Sequence, residues 1–79
     1  MRTSLTTDTW NEVMTTTVDT LLQVEGGPVR FQTGDVSGAE KNDGVKILSD
    51  GIIIFPAGLT VSAFTKTAGV VIISVPFGA

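Results

Sequence analysis

Few side chains in this chain could do chemistry. Histidine and cysteine are both absent. Imidazole acid–base catalysis, thiolate attack and the usual nitrogen and sulfur ligands of zinc are therefore missing. A serine or threonine nucleophile would need a base beside it, and Lys41, Lys46 and Lys66 are the lysines that could serve. No spacing singles out such a pair, and hydroxyl residues in strand-like runs have a sufficient structural explanation. Asp35, Glu40, Asp43 and Asp50 gather in one polar stretch. Carboxylates so placed could act as an acid–base pair or as oxygen ligands for calcium. The stretch lacks the D-x-D-x-D-G spacing of a calcium loop, however, and Asp43-Gly44 and Asp50-Gly51 are ordinary turn dipeptides. Gly26-Gly27 is no phosphate loop, because no helix is expected after it. The expectation is a chain with no catalytic residues, no metal and no cofactor.

The elements that would have to position any chemistry are β-strands. From Asp19, Thr20, Leu22 and Val24 alternate with Leu21, Gln23 and Glu25, the period of a half-buried strand. Gly26-Gly27 reads as a hairpin turn, and Pro28–Thr33 returns with Val29 and Phe31 on one face. Gly34–Asp43 reads as a loop. Val45–Ser49 and Ile52–Phe55 flank Asp50-Gly51, a second hairpin signal, and the latter strand is apolar on both faces. It is either central or covered by another subunit. Leu59, Val61 and Ala63 alternate with Thr60 and Ser62. In the last strand Val71, Ile73, Val75 and Phe77 share one face, and Val70, Ile72 and Ser74 the other. The fold class is all-β: a small antiparallel β-sandwich or barrel of about seven short strands. Residues 1–17 read as an extended N-terminal arm passing into a first strand, in preference to a short helix capped by Asp8 and running through Met14, because Thr15-Thr16-Thr17 is β-branched. Residues 18–79 read as the core of a single domain.

Composition limits the partners. The chain has 79 residues, 42% hydrophobic and 16% charged, with a mean hydropathy of +0.35. Globular domains are usually about a quarter charged. A chain this short buries its own surface incompletely. Without disulfides or soft metal sites, oligomerisation is the remaining route to stability. The net charge is −3, and Arg2, Arg30, Lys41, Lys46 and Lys66 lie scattered along the chain, so no nucleic-acid partner is expected. Apolar runs such as Ile52–Phe55 are far short of the roughly 20 residues that cross a bilayer as a helix, so no membrane partner is expected. The segment MRTSLTTDTW has no apolar core, so no secretory signal is expected. Lack of cysteine fits a cytosolic origin.

The candidate interface residues are Trp10, Met14, Ile52, Ile54, Phe55 and Phe77. Trp10 lies outside the alternating core and serves either as a plug in its own domain or as an anchor in a neighbour's pocket. With the 34–43 loop, it is also the place where a ligand- or glycan-binding module would have its site.

The run TLLQVEGGPVRFQTGD, followed by a polar loop and then by GVKILSDGIIIFPAGLTVSAFTKTAGVVIISV, resembles small structural proteins of tailed bacteriophages. The features that carry the resemblance are Leu21–Thr33, Ala57–Thr65 and Gly69–Val75, and they span roughly two-thirds of the chain. The resemblance implies a virion component assembled in the bacterial cytoplasm: a head-decoration (cement) subunit, or a small head–tail or tail subunit. It implies a homo-oligomer, commonly a trimer, that contacts a major capsid or tail protein. Strand addition or edge-to-edge pairing is the expected physical means.

Overall fold

The computed structural model describes residues 1–78. These residues form eight strands and no helix: β1 (Arg2–Ser4), β2 (Trp10–Thr15), β3 (Thr20–Glu25), β4 (Val29–Thr33), β5 (Val45–Ile47), β6 (Ile52–Phe55), β7 (Thr60–Phe64) and β8 (Val71–Pro76). Two antiparallel four-stranded sheets face each other, in the orders β1-β8-β3-β6 and β2-β7-β4-β5. This is the jelly-roll strand order, with two sheets of four and interleaved connections.

The alternation along each strand is what lets two sheets share one core. Thr20, Leu22 and Val24 of β3 are buried while Leu21 and Gln23 are half-buried. Val29 and Phe31 of β4, Val61 and Ala63 of β7, and Val70 and Ile72 around β8 complete the layer with Leu22, Val24, Leu5 and Phe55. Phe31 and Phe55 meet edge to face at 5.9 Å across the two sheets. Such a contact favours the pair beyond the area it buries.

Almost every connection crosses from one sheet to the other; only β4 and β5, joined by the 34–44 loop, are sequence neighbours within a sheet. This corrects both expected hairpins. Gly26-Gly27 carries the chain from β3 in the first sheet to β4 in the second, and Asp50-Gly51 carries it from β5 back to β6. The turn residues still do local work: Gly26 sits at φ 98° and Asp50 at φ 67°, both left-handed. They reverse the chain without pairing the strands they join.

Buried threonines pin these crossings. The Thr16 hydroxyl donates to the Pro56 carbonyl at 2.7 Å and accepts from the Leu59 amide at 3.0 Å. The Thr65 hydroxyl donates to the Pro28 carbonyl at 3.0 Å and accepts from the Thr67 amide at 3.1 Å. An arch that leaves one sheet loses its ladder partners, and a hydroxyl that both donates and accepts replaces them.

The N-terminal segment is not an arm. Its two strands close one side of the sandwich: β1 pairs with β8, and β2 pairs with β7. Leu5, between them, is buried in the core. A bulge between Glu12 and Met14 puts an extra residue into β2, and both Val13 and Met14 pack against the core.

Candidate functional site

The acidic stretch forms a self-contained loop. Asp35 Oδ1 accepts the Ser37 amide at 2.9 Å, and Asp43 Oδ2 accepts the Glu40 amide at 2.8 Å. The Ser37 backbone hydrogen bond, followed by that from its side chain, holds the Asp35 carboxyl below its ordinary range. Among the described residues no three acidic or other ligating side chains converge. Trp10 ties this loop down. Its Nε1 donates to the Glu40 carbonyl at 3.3 Å, and its ring lies 5.6 Å from that of Phe64. Phe64 faces outward from β7 yet is only 8% exposed. Trp10 is thus a plug over its own domain's second sheet rather than a free aromatic platform.

The six expected interface residues do not form one surface. Trp10 and Met14 are half-buried on β2, at the far side of the molecule from β6, and Met14 turns into the core. Phe55 also points inward and is buried against Phe31, which corrects its place among the interface candidates. Ile52, Ile54 and Phe77 remain, each more than half exposed. Phe77 lies just past the end of β8, outside the strand in which its face was expected to continue from Val75.

Ile52 and Ile54 belong to an aliphatic face. They lie on the outside of the first sheet, where Leu21 is the cross-strand partner of both Ile54 and Val75. Ile73 and Val71 continue the same face towards β1, where Arg2 and Glu25 form an exposed ion pair at 2.8 Å. The outer face of a sheet normally alternates to polar residues. Here its centre is leucine, isoleucine and valine around one glutamine, Gln23, which stands between Ile52 and Ile73.

β6 is an edge strand, which removes the possibility that it is central. Each sheet has two edges, and three of the four are blunted. β1 has three residues and carries Arg2; β2 is bulged; β5 has three residues and carries the exposed Lys46. Charge, shortness and bulges are the usual guards against edge pairing. β6, Ile-Ile-Ile-Phe, has none of them apart from its modest length. The ladder phase shows what it presents. The Val24 amide donates to the Gly51 carbonyl at 3.0 Å, and the Asp50 amide to the Val24 carbonyl at 2.8 Å. Alternation in an antiparallel pair then turns the Ile53 backbone towards β3 and the Ile52 and Ile54 backbones outward. Beside this edge, between β5 and β6, the sandwich gapes: a cleft of about 240 Å³ is lined by Phe31, Gln32, Val45, Ile53 and Phe55 among others.

The outer face of the second sheet has the opposite character. Arg30 of β4 stands directly across the ladder from Lys46 of β5. Lys66 follows β7, whose Phe64 is the other neighbour of Arg30, and the 34–44 loop brings Lys41 over the same place. Four of the five basic residues therefore line one hollow. Nothing in their sequence spacing (30, 41, 46, 66) signals this; only the strand register does.

Comparison with family models, with curated proteins and with solved structures yields no match for this chain.

Proposed function

We propose that this protein is a structural assembly subunit of a tailed-phage particle, a capsid decoration subunit that associates with itself and lies on a larger protein surface. The observation that carries the reading is the aliphatic outer face of the first sheet, ending in the unguarded edge of β6. Exposed contiguous apolar surface marks sites of association. The likeness to small phage structural proteins supplies the virion context, and the jelly roll is an architecture of viral capsid domains, among others.

The edge supports a particular contact. Ile52-Ile53-Ile54 reads the same in both directions, so an antiparallel copy of β6 fits it in register. Ile52 would face Ile54 of the second copy, and each such pair exchanges two backbone hydrogen bonds. All four side chains would fall on the outer face and extend its aliphatic stripe. Asp50 would face Pro56 of the other copy rather than another carboxylate. Such a contact is isologous and closes at two copies; the three implied by the phage resemblance need a heterologous contact.

Light scattering over a dilution series, read with amide exchange and cosedimentation with particles of the phage that encodes the chain, tests this. Concentration-dependent dimers with slowed exchange at Ile52 and Ile54 are expected, together with binding to particles. Ile54→Pro removes an outward amide only and should leave a folded monomer. A monomer at every concentration that ignores particles refutes the assembly reading. Association without protection of those two amides refutes the edge contact alone.

A further inference from the structure

We propose that the hollow between Arg30, Lys41, Lys46 and Lys66 is a binding site for a tetrahedral oxyanion, a phosphate or sulfate group carried on a small organic residue. This goes beyond self-assembly and uses the opposite face of the sandwich. Three observations converge on it.

The first is charge imbalance. The chain has eight acidic residues and five basic ones, so carboxylates outnumber the cations they could neutralise. Yet no carboxylate lines this hollow, and the ion pair found among the described residues, Arg2–Glu25, lies on the other sheet. Four cations gathered without a counter-charge, in an acidic protein, are a preformed positive focus.

The second is placement. Arg30 and Lys46 are direct cross-strand partners. Like charges in that position repel, and sheets ordinarily put an opposite charge or a neutral residue there. An anion bridging the two turns the repulsion into attraction. The Arg30 guanidinium is only weakly engaged, with one contact to the Gly44 carbonyl at 3.5 Å, and keeps donors for a planar two-point grip on an oxyanion.

The third is shape. The hollow holds about 160 Å³ and is walled on one side by the 34–44 loop and on the other by the segment after β7. That volume is large against the roughly 30 Å³ share of a liquid water, and it admits an oxyanion with part of the group that carries it. Asn42 and Thr67 line the rim and add neutral hydrogen-bonding groups for that remainder. Trp10 anchors the loop that brings Lys41 in, so the site is built before its ligand arrives. One hollow for one anionic group is no track for a nucleic-acid backbone, which needs phosphate contacts in series.

The test is an amide-shift titration of the intact chain with sodium phosphate, sodium sulfate and glycerol 2-phosphate. Sodium chloride holds the ionic strength constant throughout. Saturable shifts centred on Arg30, Lys46 and Lys66 are expected with the oxyanions and not with chloride. Lys46→Gln should weaken binding about tenfold, the scale of one charge-assisted hydrogen bond, while Arg2→Gln leaves it unchanged. Without oxyanion, Lys46→Gln should melt at or above the temperature of the unaltered chain, because the repulsion from Arg30 is relieved. Adding phosphate should raise the melting point of the unaltered chain more than that of Lys46→Gln. Tighter binding of the ester than of the inorganic ions assigns the site to an esterified group; equal binding assigns it to the free ion. Linear shifts matched by chloride, or binding unaffected by Lys46→Gln, overturn the proposal.

Discussion

The Ile54→Thr substitution puts a number on the β6 edge. Burying a whole isoleucine side chain is worth ~1.5–3 kcal/mol. Ile54 is 56% exposed in the single chain; a paired strand covers its flank while its tip stays on the outer face, so association removes about a quarter of its surface from water, a gain of ~0.5 kcal/mol. A two-fold contact uses every residue twice, which makes the loss on substitution ~1 kcal/mol, or about fivefold in the dimer Kd. Threonine keeps the β-branched shape, so the isolated fold should change by less than ~0.5 kcal/mol. Sedimentation velocity over a dilution series reads the first quantity, and thermal melting at the dilute end reads the second. Two results refute the reasoning. An unchanged Kd means Ile54 is not in the contact. A drop of several degrees in the dilute melt means that Ile54 supports the fold itself.

Three further outcomes follow from the geometry. Thr16→Val keeps the shape but strands the Pro56 carbonyl and the Leu59 amide; it should cost ~1–3 kcal/mol, read by urea denaturation. Gly44→Ala should destabilise by more than ~1 kcal/mol in the same assay, because φ is 85° there and an added Cβ would run into the Phe31 carbonyl. Asp35, whose folded pKa is depressed, contributes order to the loop that is present above its ordinary carboxyl pKa and is lost as pH falls through the lower folded value. The Ser37 amide resonance followed against pH should therefore titrate below the usual aspartate range, and a midpoint at the ordinary value would remove that contribution.

Where the chain is half-buried, it could be read as strands. Thr20–Val24 and Val70–Val75 alternate cleanly, and both face assignments along these stretches hold. What could not be read is which sheet each strand enters. A Gly-Gly or Asp-Gly pair records that the backbone turns; it says nothing about whether the next strand pairs beside the last or crosses above it. The terminal segment was harder for a different reason. β1 is an edge strand of three residues with no apolar side chain, and in β2 the bulge between Glu12 and Met14 breaks the alternation that Trp10, Val13 and Met14 would otherwise show. The candidate sites divide along the same line. Ile52 and Ile54 were visible because a strand apolar on both faces needs both faces covered, and a two-layer sandwich covers only one. The basic hollow was invisible because Arg30 and Lys46 meet only through the register of β4 with β5.

The interleaved strand order also constrains the time course of folding. β8 lies between β1 and β3, so β1 has no partner until nearly all of the chain has been made. No neighbouring pair in the first sheet can form an early hairpin, and every contact there closes a long loop. Folding should be slow for so small a domain, in the millisecond-to-second range of non-local β topologies. A nascent chain would emerge from the ribosome with β1 bare, β3 unpaired until β6 follows it, and the apolar Ile52–Phe55 strand then held by β3 alone. The strand suited to joining two finished subunits is thus also the one at greatest risk of joining two unfinished ones.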